Sequence, residues 1–386
     1  MEFDLSWLLI GLPAVFALGW LASRFDLRQL RIDNRQAPKA YFRGLNFLLN
    51  EQQDQAIDAF IEAAQKDPDT SELHFALGNL FRRRGEYERA VRVHEHLLAR
   101  ADLGKSDRER AQYALAQDFL KAGLIDRAED ALRKLDGTRY QSQAWLALLA
   151  LHERARDWTQ AAATARSLAS AGEGDFSARL AHYQCEQAAH ALNKKNDPAA
   201  ARGLLGDAIS AAPQAARPRI QLAGLLAAQG DLQGAFEQLV QLQQHAPAAL
   251  ALVASELVRI GKATGRLEQA IDLLERSYAV TPTVDVADAI VQARVAAGEP
   301  PAQARTGYVR HMEQEPSLLA ATRWLSHEPF TQEDARAAVQ RSLEHAARPL
   351  ARYRCAACGF ETQGYFWQCP GCLEWESFPP KRIEEL

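Results

Sequence analysis

Four of the chain's five cysteines fall in its last 32 residues, at a spacing that can do chemistry. Tyr353-Arg-Cys355-Ala-Ala-Cys358-Gly359-Phe360 is followed by Cys369-Pro370-Gly371-Cys372, with ten residues between Cys358 and Cys369. Two Cys-x-x-Cys turns at this separation offer four thiolates to one tetrahedral ion. The turns direct backbone N–H groups at sulfur, and Gly359 supplies backbone freedom just past the second ligand. Zinc and iron both accept four thiolates, so the donor set leaves the metal open. Cysteines so placed make a poor disulfide framework and point to a reducing compartment. Cys185, the fifth, reads as a small core residue.

Two roles compete for such a site. One is a metal staple holding a segment too small to fold unaided. The other is a redox centre passing electrons. Tyr353, Phe360, Tyr365, Phe366, Trp367, Trp375 and Phe378 give the staple a miniature aromatic core. No flavin, haem or second redox motif accompanies the cysteines, which favours the staple.

The elements upstream are repeats. Ala37–Thr70 and Ser71–Gly104 are each 34 residues long, with glycine at place 8 (Gly44, Gly78), phenylalanine at place 11 (Phe47, Phe81) and alanine at place 20 (Ala56, Ala90). That period and those small residues are the tetratricopeptide pattern of paired helices. Gly85 is placed to end a first helix before Glu86-Tyr87-Glu88-Arg89 opens a second. The phase continues through Leu115, Gly123 and Ala128, then Trp145, Trp158 and Ala161 with the turn glycine lost, then Ala189, Ala201 and Pro213. It returns clearly at Leu222, Gly230, Ala235 and Pro247, and runs on through Gly265, Ala270, Pro282, Tyr308 and Pro316 to Arg348. About nine units over residues 37–348 predict an all-α superhelical solenoid, whose concave face suits a protein or an extended peptide. The linker after Arg348 is short, so the cysteine module of residues 349–386 is expected to dock on the last repeats.

Residues 5–23 carry no charge between Asp4 and Arg24, and as a helix they would reach about 28 Å, near the hydrocarbon thickness of a bilayer. Trp7 and Trp20 sit near the ends, as interfacial rings do. The acidic Glu2 and Asp4 do not make the basic leader of a cleaved signal. Residues 1–23 therefore read as a single transmembrane anchor. Arg24, Arg28, Arg31 and Arg35 make residues 24–36 a basic juxtamembrane linker, and with Lys39 they hold the body in the cytoplasm.

Other functions are poorly served. With 45 basic against 49 acidic residues and no basic block, nucleic acid is not the partner. His94-Glu-His96 lacks the spacing of a zinc protease, and no strand precedes Gly104-Lys105-Ser106 to make it a phosphate loop. No catalytic constellation is present, and the chain is expected not to be an enzyme.

Anchor, repeats and paired knuckles in this order resemble the lipopolysaccharide assembly protein B family (LapB, also called YciM). The resemblance spans the chain and is most specific at Gly44-Leu-Asn-Phe-Leu-Leu49, Leu77-Gly-Asn-Leu-Phe-Arg-Arg-Arg-Gly85, Ala122-Gly-Leu-Ile-Asp-Arg-Ala-Glu-Asp130 and Arg352-Tyr-Arg-Cys-Ala-Ala-Cys-Gly-Phe360. It implies an inner-membrane protein with a cytoplasmic body and a C-terminal rubredoxin-like metal domain with four cysteine ligands. It implies one iron ion per chain, zinc being the alternative, on Cys355, Cys358, Cys369 and Cys372. It implies an adaptor that regulates lipid A synthesis by promoting degradation of the deacetylase LpxC by the membrane protease FtsH. Scaffolding of other lipopolysaccharide synthesis and inner-membrane regulatory proteins belongs to the same expectation, and self-association stays open. In rubredoxins proper the second knuckle ends Cys-Gly, whereas here Leu373 follows Cys372, which weakens an electron-transfer reading. The alternatives are a rubredoxin-like electron carrier docked through the repeats and a generic membrane-bound scaffold.

Overall fold

The structure, a computed structural model, describes Phe16, Trp20 and residues 42–66, 70–326, 328 and 333–386. The expected anchor and basic linker lie outside the described residues, apart from Phe16 and Trp20, which are helical and exposed. Among the described residues no helix is long and apolar enough to cross a membrane.

The chain divides into two compact units, Met1–Ala155 and Arg156–Leu386. In the first, residues 42–49 precede the Gln53–Lys66 helix, and the hairpins Ser71–Arg83 with Tyr87–Ala99 and Lys105–Ala122 with Ile125–Arg133 lead to Gln141–Ala155. The repeat residues act as their spacing demands. Ala56, Phe60, Leu77, Phe81 and Ala90 share one buried cluster. A Cβ on Gly78 would lie 2.5 Å from the His94 ring, and one on Gly44 would lie 2.9 Å from the Phe60 ring. Helices therefore cross there at a distance only glycine permits. Gly85 takes φ +80, and Glu86 N–H donates back to the Phe81 carbonyl at 2.9 Å, closing the first helix in a Schellman turn. His94 is a core residue paired with buried Asp118, which also accepts from Arg82 at 2.8 Å.

The second unit opens with Arg156 at φ +56, a non-glycine residue in the position where the fourth repeat lost its turn glycine. Asp157 then caps the Trp158–Ser170 helix by accepting from Gln160 N–H at 3.1 Å. The pairs Ser177–Lys195 with Pro198–Ala211, Ala216–Ala228 with Leu232–His245, and Ala254–Ala263 with Leu267–Val280 share a continuous core. It runs from Cys185 through Leu226, Phe236, Leu257 and Leu274 to Ala289. Pro213, Pro247 and Pro282 each follow the end of a helix they cannot continue. Val284–Ala296, Pro301–Ala304, Thr306–Gln314, Leu318–Leu325 and Glu333–Ala347 complete the helices. After them comes a small module whose two strands, β1 (Tyr353–Arg354) and β2 (Glu361–Thr362), pair antiparallel.

Candidate metal centre

The knuckles are built by local backbone geometry. Strands β1 and β2 place Cys355 and Cys358 at the hairpin end, where Cys355 N–H donates to Phe360 O and Gly359 N–H to Cys355 O, both at 2.9 Å. The second turn repeats the pattern, with Cys369 N–H to Glu374 O and Leu373 N–H to Cys369 O, again 2.9 Å. Gly371 N–H points at Cys369 Sγ at 3.4 Å. Gly359 sits at φ +77, and Leu373 takes the corresponding place at φ +63. A branched side chain there costs about 1 kcal/mol.

All four sulfur atoms lie within 4.8 Å of one another. Cys355–Cys372 is 3.8 Å and Cys358–Cys369 is 3.6 Å, with none of the four in a disulfide. A metal–sulfur bond of about 2.3 Å gives a tetrahedral sulfur–sulfur edge of about 3.8 Å. The thiols thus stand where an ion would require them, and they form a site able to hold one. Cys355 and Cys369 are buried, while Cys358 and Cys372 face outward. Burial opposes ionisation of Cys355, but donors from Ser377, Cys358 and Ala357 bring it down to about 6. The Glu374 amide favours the Cys372 thiolate, yet burial and the three neighbouring cysteines push that thiol up to about 12. Four thiolates so close repel one another unless a cation lies between them.

The module's core is smaller than the sequence suggests. Tyr365 contacts Tyr353, Trp367 and Phe378 edge-on at 5.5, 4.9 and 6.3 Å, and its hydroxyl donates to the Phe378 carbonyl at 2.9 Å. Trp375, expected within that core, turns outward into the helices. Its ring stacks on His182 at 4.6 Å and meets Trp158 and Tyr183 edge-on, each at 6.0 Å. The Arg217 guanidinium lies 5.9 Å from the same ring. Glu376 accepts from His182 Nε2 at 3.1 Å, and this bond holds its carboxyl below the usual range. Arg217 faces the other ring nitrogen at 3.5 Å and pairs with Glu186 at 2.5 Å.

Docking therefore reaches well beyond the last repeats, back to the Trp158–Ser170 helix, which corrects the expectation from linker length. Closer contacts lie at the tail. Arg382 pairs with Asp285 at 2.7 Å. Glu385 accepts from the Val284 amide at 2.5 Å. Glu384 accepts from Ser317 Oγ, Leu318 N–H and Leu319 N–H at 2.5, 3.1 and 3.2 Å. Two carboxylates thus sit on the N-termini of the Val284–Ala296 and Leu318–Leu325 helices, where orphan amides and the helix dipole favour negative charge. Cys185 lies in the helical core, where burial pushes its thiol up to about 12. No local spacing marked His182, Arg217, Asp285 or Ser317; Trp375-Glu376 and the acidic Glu384-Glu385 end were the available signals.

The fold and site define a tetratricopeptide-type helical solenoid carrying a rubredoxin-like four-cysteine module, a repeat scaffold rather than an enzyme. Residues 353–380 match the family described as a rubredoxin metal binding domain, and residues 73–109 match the tetratricopeptide repeat. The resemblance to lipopolysaccharide assembly protein B runs from end to end. The chain is 29% identical over 385 residues to the protein of that name from Escherichia coli (strain K12), covering 98% of each. It is 27% identical over 397 residues to that of Haemophilus influenzae (strain Rd), again covering 98% of each. A tetratricopeptide repeat protein from Parabacteroides merdae aligns at 14% identity and a TM-score of 0.34, over 67% of this chain and 99% of that one.

Proposed function

We propose that this chain is an inner-membrane adaptor in lipopolysaccharide assembly, bringing the deacetylase LpxC to the protease FtsH so that lipid A synthesis is held in check. The observation that carries the reading is similarity over 98% of the chain to proteins named for lipopolysaccharide assembly. In this reading residues 1–23 are the anchor, 24–36 the basic linker, 37–348 the repeat array and 349–386 the metal module. Cys355, Cys358, Cys369 and Cys372 hold one iron or zinc ion, whose part is to neutralise four thiolates and fix both turns. The repeats supply protein-binding surface. The anchor confines that surface to the bilayer, where effective concentration lets modest affinities suffice.

The test is the half-life of LpxC after translation is stopped, in cells depleted of this protein and in normal cells with FtsH present. Depletion should lengthen it several-fold without changing LpxC synthesis, and an unchanged half-life would remove the adaptor role. A reporter fused at Leu386 should work in the cytoplasmic form and stay silent in the periplasmic form; the reverse would overturn the orientation.

A further inference from the structure

The seat that receives Trp375 and Glu376 is better furnished than its present occupant needs. Trp158, His182 and Tyr183 frame an aromatic slot around Trp375, and the Arg217 guanidinium, 6% exposed, lies 5.9 Å from the Trp375 ring. Arg217 spends one amino group on Glu186 and faces His182 with the other, which leaves its buried Nε without an acceptor. The occupant is also strained. Glu376, whose carboxylate meets His182, adopts φ +52, a conformation that costs a non-glycine residue about 1 kcal/mol. A receptor with spare donor capacity is thus filled by a ligand that bends to fit.

The occupant's position depends on the cysteine turn. Trp375 is bridged to Gln368, Cys369 N–H donates to the Glu374 carbonyl, and Glu376 N–H donates to the Trp367 carbonyl. Trp375 and Glu376 are therefore presented by the loop that Cys369 and Cys372 close.

We infer that the slot of Trp158, His182, Tyr183 and Arg217 is a recognition site for a partner's peptide segment bearing an aromatic residue followed by a carboxylate. In the resting chain Trp375-Glu376 occupies it, and closure of the four-cysteine site by the metal holds that occupant in place. This deepens the adaptor reading by naming the chemistry of one client segment and a condition for its access. A partner segment free of the knuckle's backbone strain can place its carboxylate against Arg217 Nε as well as His182, which Glu376 does not. The aromatic slot then supplies the stacking that Trp375 now receives.

The probe is a fluorescent hexapeptide with the sequence of residues 373–378, Leu-Glu-Trp-Glu-Ser-Phe, titrated into the full chain. Metal-loaded wild type should bind it at least tenfold more weakly than the metal-loaded double variant Trp375→Ala with Glu376→Lys, whose slot is vacated while its cysteines remain. Adding Arg217→Ala to the double variant should abolish the gain. Wild type stripped of metal by a chelator should bind as the double variant does. Its hydrogen exchange should rise at residues 177–187 and 216–220, a readout that does not require the double variant to fold. Equal binding by wild type and the opened chain would overturn the inference. So would an uncovered slot that fails to bind, or one that stays covered after metal removal. No client enters this test, so its failure would leave the adaptor reading standing. An unchanged LpxC half-life would in turn leave the slot standing.

Discussion

Glu384→Ala is the sharpest probe of how the C-terminal tail holds the helices. The Glu384 carboxylate accepts from Ser317 Oγ, Leu318 N–H and Leu319 N–H, and Ser317 Oγ in turn accepts from Ala320 N–H at 2.9 Å. Truncation removes one cap and the negative charge from the N-terminus of the Leu318–Leu325 helix. A lost cap is worth about 1 kcal/mol and the charge at the helix dipole about 0.5. The partly buried site enlarges both, since water reaches the freed amides poorly, and the sum is about 2 kcal/mol. At 1.4 kcal/mol per decade, local opening should become about thirtyfold more frequent. Native-state hydrogen exchange resolved to single amides reads this directly at Leu318 and Leu319. Glu384→Gln keeps an acceptor without the charge and should show a smaller rise, about fivefold. Ala90 and Phe119, in the other compact unit, should exchange as in wild type. A rise below threefold at Leu318 and Leu319 would refute the argument, since it would mean that the Ser317 cap suffices alone.

Three further outcomes follow from the same geometry. Purified protein should carry one iron or zinc ion per chain by elemental analysis, and Cys358→Ser should lose most of it. Because the module seats Trp375 on His182, that loss should also quicken exchange in the Ser177–Lys195 helix, whereas confinement to residues 350–386 would contradict the docking. Gly78→Ala puts a methyl where the His94 ring stands 2.5 Å away, so it should cost about 1–3 kcal/mol and lower the melting temperature; an unchanged melting curve would show that the helices can part. The Glu376 carboxyl is held below its ordinary 4.5 by the His182 bond, and Arg217, itself paired with Glu186, faces the other nitrogen of that ring. Its contribution to docking is therefore complete above about pH 4.5 and fades as pH falls through the depressed value. Buried Glu385 is shifted upward and acts in the opposite sense as it ionises. Tryptophan fluorescence of docking should show an acid limb that Glu376→Gln flattens, and an identical limb in the variant would exclude this pair as its source.

The repeat architecture was legible because its determinants are local and periodic. Gly78, Ala90 and Gly85 each answer a constraint met within one helical hairpin, so the 34-residue period carries the crossing, the core and the turn. The knuckles were legible for the same reason: a Cys-x-x-Cys turn builds itself from neighbours, one inside the β1–β2 hairpin and one inside the loop bridged by Gln368 and Trp375. Arg156 shows where local reading weakens, since the turn survives there without its glycine by taking the left-handed conformation at a cost.

Where the module sits belongs to the tertiary structure alone. Linker length pointed to the last repeats, and aromatic composition pointed to Trp375 as module core. Instead Glu376 meets His182 across 194 residues, Arg382 meets Asp285 across 97, and Glu384 meets Ser317 across 67. Such partners share no spacing or period. They are selected by desolvation of Trp375 against three other aromatic rings and by the demand of two helix N-termini for negative charge. Sequence determined that there would be stacked helical hairpins and a four-thiol site. Which helices the site is pressed against was decided by surfaces that exist only once those hairpins have packed.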